Sequence, residues 1–167
     1  MTTLAQAEFL KRLVTHKRVS STRMPGLTDK GVELLLYGTG HADNASGSGG
    51  MMAGISQLLH QAIARALAPE SEATAIKPVL DEHTNGRWRI FQKIGWGPSE
   101  TRGTTEMVML AHVCLPGVQG GREFTLAAQQ SVPHNSDSNL PLVGKKMLTL
   151  LTSSMQTLLS SSKEAKE

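Results

Sequence analysis

Three apolar-rich runs in the second half of the chain, RWRIFQKI (87–94), TTEMVMLAHVCL (104–115) and REFTLAAQQSV (122–132), are separated only by GWGPSETRG and PGVQGG. Links this short join neighbouring antiparallel strands, because a parallel crossover needs about a dozen residues or more. The three runs therefore predict an antiparallel meander over 86–132. Beyond the polar PHNSDSN, the run LPLVGKKMLTLLTSSMQTLLS repeats Leu142, Val143, Met147, Leu150, Leu151, Met155, Leu158 and Leu159 at helical spacing. A helix over 140–160 with so broad an apolar face must bury it, and the preceding sheet is the surface at hand.

The first eighty residues read as mainly helical. TTLAQAEFLKRLV carries Thr3 with Gln6 three residues on, a capping box, and its apolar residues recur at helical spacing, which predicts a helix over about 3–16. TDKGVELLLYG predicts a second helix, capped by Thr28 or Asp29 and ended by Gly38. GTGHADNASGSGG is turn chemistry throughout. MMAGISQLLHQAIARALA places Met51, Ile55, Leu58, Leu59, Ala62 and Ala66 on one stripe, a third helix. PESEATAIKPVLDEHTNG reads as a polar connection with one short turn of structure. Helices, then a meander, then a helix give an α+β chain of 167 residues, either one domain or the C-terminal part of a larger one.

With two Trp, one Tyr and three Phe, the core must rest on aliphatic residues and the eight Met. The net charge of +3 is spread thinly, and HKR at 16–18 is its densest cluster. A basic stripe with interleaved aromatics is missing, which argues against a nucleic-acid partner. No run reaches the roughly 18 apolar residues that a membrane-spanning helix needs. MTTLAQAEFLKRL lacks the pattern of a signal peptide. The single cysteine, Cys114, allows no intrachain disulfide and reads as a small buried thiol.

Lys93, followed by Gly95, Trp96 and Gly97, has two readings. Either it is a charge that discourages pairing at an exposed strand edge, with the glycines forming a turn. Or the glycines let a ligand lie against the strand, and Lys93 supplies a charge or a proton. His41 with Asp43 is too few ligands for a metal site, and the glycine clusters lack the spacing of a phosphate loop. His112, alternating within an apolar strand, reads as a satisfied buried or cross-strand residue. No metal or cofactor is expected.

In order and spacing, TTLAQAEFLKRLVTHKRVSS, KIGWG, TRGTTEMVMLAHVCLP, GREFTLAAQQS and the terminal helix resemble the C-terminal half of the serine β-lactamase and penicillin-binding-protein superfamily. KIGWG stands where that family carries K-T/S-G on the strand beside its active site. The resemblance implies acyl transfer or hydrolysis of an ester, amide or β-lactam. It makes Lys93 the group that binds the substrate carboxylate and tunes the proton relay. It makes the Trp96 backbone amide half of an oxyanion hole, with Gly95 and Gly97 against the substrate and Arg102 as a second carboxylate contact. Ile94 departs from the family, whose Thr or Ser hydroxyl touches the substrate carboxylate. The family's S-x-x-K and S-D-N elements lie upstream of the helix that opens this sequence. The letters SSSK at 160–163 and SDS at 136–138 fall in the wrong places, so the nucleophilic serine is expected outside these residues. The family's sheet also takes strands from that upstream part, so self-association or pairing with the upstream part is expected, along with a small-molecule or peptide substrate. As part of an exported precursor it would be periplasmic or extracellular; as it stands, with no export mark, a cytoplasmic location is expected. The reading from a different class is a non-catalytic binding or structural module.

Overall fold

The computed structural model describes residues 2–38, 57–70 and 76–160. Most of the glycine-rich stretch, with His41 and Asp43, lies outside them, as do Met51, Ile55 and the residues after Ser160. The described elements are α1 (Thr3–Thr15), α2 (Asp29–Tyr37), α3 (Leu58–Leu67), α4 (Ile76–Thr84), β1 (Arg89–Ser99), β2 (Thr104–Leu115), β3 (Arg122–Pro133) and α5 (Leu140–Ser160). The fold is α+β, and the sheet is an antiparallel meander of order β1-β2-β3.

Period-two alternation divides the sheet's side chains between two layers. On one face Ile90 of β1, Met107, Met109, Ala111, Val113 and Leu115 of β2, and Ala128 and Val132 of β3 are buried. They pack with Leu59, Ala62 and Ile63 of α3, Leu80 of α4, and Val143, Met147, Leu151, Met155 and Leu159 of α5. The α5 residues recur every four positions and form a single stripe. Leu142 and Leu150, at 50% and 36% exposure, stand outside it, so the buried face is narrower than the apolar spacing predicts.

Among the described residues, the opposite face is covered at one end only. There α1 and α2 bring Leu10, Leu13, Val32, Leu36 and Tyr37 onto Phe91. Thr125 Oγ1 donates to the Ala7 carbonyl at 3.1 Å, pinning α1 to β3. Toward the other end Lys93 and Val108 are exposed.

Three local expectations need correction. The cap of α1 is Thr2, whose hydroxyl accepts the Ala5 N–H at 3.2 Å; the helix begins at Thr3 itself. The segment read as a connection contains α4, a nine-residue helix that buries Val79, Leu80 and Thr84. Pro78 is tolerated because it falls in the first turn, where its missing N–H has no helical acceptor. Third, β1 runs on through GWGPS, pairing Trp96 with Met107, Gly97 with Glu106 and Pro98 with Thr105, so Lys93 sits mid-strand. Proline is accommodated there because β1 is an edge strand. Thr28 does cap α2, accepting the Gly31 N–H at 3.0 Å, and Gly38 ends that helix with a φ of 60°. In the β2–β3 link, Gly117 has a φ of 96°, and a Cβ there would stand 3.2 Å from the His83 carbonyl oxygen.

Candidate functional site

The residues singled out by the K-x-G resemblance fall around the open end of the sheet. A shallow hollow of about 360 Å³ is lined by Gly95, Trp96, Gly97, Pro98, Ser99, Arg102, Glu106 and Val108. Lys93 is not among its walls. It lies opposite Leu110, exposed, on the face that α1 and α2 cover farther along. The Trp96 side chain is 58% exposed. Arg102 is engaged by Glu106 through Nε to Oε1 and through Nη2 to Oε2 at 2.6 Å. That guanidinium holds the Glu106 carboxyl below its usual range. Gly95 has Val108 leaning over it, and a Cβ at 95 would meet Val108 Cγ2 at 3.2 Å.

A second and more built site lies at the covered end, where α1 and α2 meet the sheet. It is a cleft of about 310 Å³. Leu13, Val14, Val32 and Leu36 form apolar walls, and Tyr37, His112, Cys114 and Glu123 form a polar floor. Alternation puts His112 and Cys114, two residues apart on β2, on one face. The register sets Glu123 of β3 opposite Cys114. Tyr37 enters from the last turn of α2, and Arg18 from the chain just past α1.

These groups form one chain of contacts. The Tyr37 hydroxyl lies 2.8 Å from His112 Nδ1, and His112 Nε2 lies 3.1 Å from Glu123 Oε1. Arg18 donates to both Glu123 oxygens, at 2.8 Å and 2.5 Å, in a fork that matches the carboxylate. Phe91 stacks beside the imidazole with ring centres 6.0 Å apart. His112 itself is 5% exposed. Hydrogen bonding to Arg18 keeps the Glu123 carboxyl below its usual range, with His112 adding a smaller pull.

That polarity decides the histidine tautomer. An ionised carboxylate only accepts, so His112 Nε2 carries the proton that it donates to Glu123. The Nδ1 lone pair is then left to accept the Tyr37 O–H. Cys114 Sγ sits 3.4 Å from the same Nε2. An imidazole that has already given Nε2 to a carboxylate has no lone pair to take the thiol's proton. Burial first, and Glu123 second, push the thiol up to about 11. Burial likewise raises the Tyr37 phenol. The floor is a set of neutral, hydrogen-bonded groups around one ion pair, and Cys114 is not an activated nucleophile.

Beside the floor, His16 is buried and its Nδ1 accepts the Met24 N–H at 3.1 Å. Lys17 reaches Glu33 at 3.4 Å. His112 was legible in the sequence as a buried strand residue, whereas Cys114, read there as buried, is half-buried. Their union with Tyr37, Glu123 and Arg18 was not, because those three come from separate elements. The H-x-C alternation was the one signal for it. Comparison with known protein families, with curated proteins and with solved structures finds no match to this chain, so the serine-hydrolase resemblance rests on its sequence motifs alone.

Proposed function

We propose that this chain is a small-ligand-binding module whose recognition site is the cleft between α1, α2 and the sheet. One observation carries the reading: an apolar-walled cleft of about 310 Å³ ends on a polar floor whose hydrogen bonds are already made. Small-molecule sites have this form, mostly apolar with a few convergent polar groups, and sizes of about 300–1,000 Å³. The charges at the rim are paired within the protein, Lys17 with Glu33 and Arg18 with Glu123. The ligand class that fits is therefore a compact, mainly apolar molecule, with one polar end for the Tyr37–His112 floor.

Titrating neutral heteroaromatic fragments into isotopically labelled protein tests this. Amide shifts are expected at Val14, Leu36, Tyr37 and His112. Val14→Trp, which fills the mouth of the cleft, should suppress them. Shifts confined to other surfaces, or shifts that survive Val14→Trp, reject the reading.

The acyl-transfer reading is the second one, and the position of KIGWG favours it: this segment lies on an edge strand, beside a hollow lined by Gly95, Trp96, Gly97 and Arg102. Lys93 standing outside that hollow, and Arg102 being tied to Glu106, weigh against it. In this reading the chain contributes strand and oxyanion donors to a serine carried elsewhere. A fluorophosphonate or a fluorescent penicillin should then leave this chain unlabelled. Labelling would identify a nucleophile that neither reading contains.

A further inference from the structure

We propose that His112 Nε2, Cys114 Sγ and one oxygen of Glu123 form a three-ligand site for Zn²⁺ or a cation of its class. The site does not require the cleft to hold an organic ligand, so it stands or falls apart from the reading above.

Spacing is the first argument. The three donor atoms lie within 4.8 Å of one another, with Nε2 at 3.4 Å from the sulfur and 3.1 Å from the carboxylate oxygen. Zinc bonds of about 2.0–2.1 Å to nitrogen, about 2.3 Å to sulfur and about 2.1 Å to oxygen, at a tetrahedral angle, place those donors about 3.5 Å and about 3.4 Å apart. The two separations from Nε2 need to change by only a few tenths of an ångström, and the sulfur and the carboxylate oxygen, within 4.8 Å of each other, settle at about 3.6 Å through rotamer adjustment.

The surroundings are the second argument. A metal-binding imidazole usually donates its other N–H to an acceptor that fixes the ring, and Tyr37 oxygen already stands 2.8 Å from Nδ1. A ligating carboxylate is usually held by a further hydrogen bond, and the Arg18 fork does this for Glu123. Phe91 stacked on the ring limits its rotation further. On binding, the imidazole proton passes from Nε2 to Nδ1 and is donated to Tyr37, and the thiol proton leaves for solvent. The thiolate and the carboxylate then balance the divalent charge.

Ligand identity sets the cation class. One nitrogen, one sulfur and one oxygen suit zinc and cobalt(II), whereas magnesium and calcium require oxygen ligands throughout. These groups form the floor of the cleft, so the fourth coordination position opens toward its interior. Three protein ligands and one open position is the arrangement of zinc sites that bind water or substrate.

The chain holds a single cysteine, which gives the site its own spectroscopic reporter. Titrating the full chain with cobalt(II) chloride under reducing conditions should produce a sulfur-to-cobalt charge-transfer band. That band should saturate at one equivalent and disappear on addition of Zn²⁺. Cys114→Ser should abolish the band, and Tyr37→Phe should keep it while weakening binding roughly 10- to 100-fold. Mg²⁺ should raise no thermal midpoint that Zn²⁺ raises. Absence of the band from the folded wild-type protein, or its persistence in Cys114→Ser, would overturn the proposal. So would equal stabilisation by Mg²⁺. The wild-type spectrum decides the matter even if a variant fails to fold.

Discussion

Replacing Leu151 by Ala is expected to lower the free energy of unfolding by about 2–5 kcal/mol, the range for large-to-small changes in a packed core. Leu151 is 1% exposed and lies at the centre of the α5 stripe, between Met147 and Met155 in the cluster shared with α3 and the sheet. Truncation in so buried a place leaves a cavity that the surrounding side chains fill only in part. Leu150→Ala is the matched control. Its side chain is 36% exposed, so the same chemical deletion removes less buried area, leaves a gap open to solvent, and should cost clearly less than Leu151→Ala. Urea unfolding of the two variants measures the difference. Equal losses would mean that α5 is not docked along the Val143–Met147–Leu151–Met155–Leu159 line.

Acidification from about pH 7.5 to about pH 5 should remove about 2 kcal/mol of stability through His60 alone. Burial lowers the pKa of this imidazole from 6.5 to about 4. It is enclosed by the Trp88 ring, met edge-on at 5.5 Å, and by the Gln92 amide, whose nitrogen lies 3.3 Å from Nδ1. Between those two pKa values the unfolded chain binds a proton that the folded chain refuses. The contribution is therefore complete above pH 6.5 and drains away as the pH falls toward 4. Glu123, Glu106 and Asp81, all held below their usual range by basic partners, add losses only at lower pH, near and below the ordinary carboxylate range. Chemical denaturation of wild type and His60→Gln at the two pH values separates the contributions. A variant with an unchanged pH dependence would show that His60 is not the source.

The elements that were legible are those whose signal is local. Strand β2 spans the predicted run TTEMVMLAHVCL, and β3 extends its run by one residue, to Pro133, because alternation and short Gly-rich links leave few other arrangements. The α5 periodicity announced a long buried helix for the same reason. Elements whose signal is supplied by a neighbour were not legible. Gly95, Gly97 and Pro98 read as turn residues on their own, yet β2 offers a partner as far as Thr104 and the strand continues. In α4 the residues Val79 and Leu80 stand among polar ones, and the helix is held by Leu80, which joins the core built with α3 and the sheet.

The site divides in the same way. Lys93, Gly95, Trp96, Gly97 and Arg102 are close in sequence, so they could be picked out as a motif, and all but Lys93 border one hollow. Tyr37, His112, Cys114, Glu123 and Arg18 are spread over more than a hundred positions and converge only when α1 and α2 close over the sheet.

Periodicity and link length along the chain were enough to specify an antiparallel meander with helices packed against it, since hydrogen-bond geometry and side-chain alternation act between near neighbours. Which polar groups would share a cleft depended on how two separate helices dock across three strands. That docking is governed by shape and burial between distant segments, and no spacing within any one of them records it.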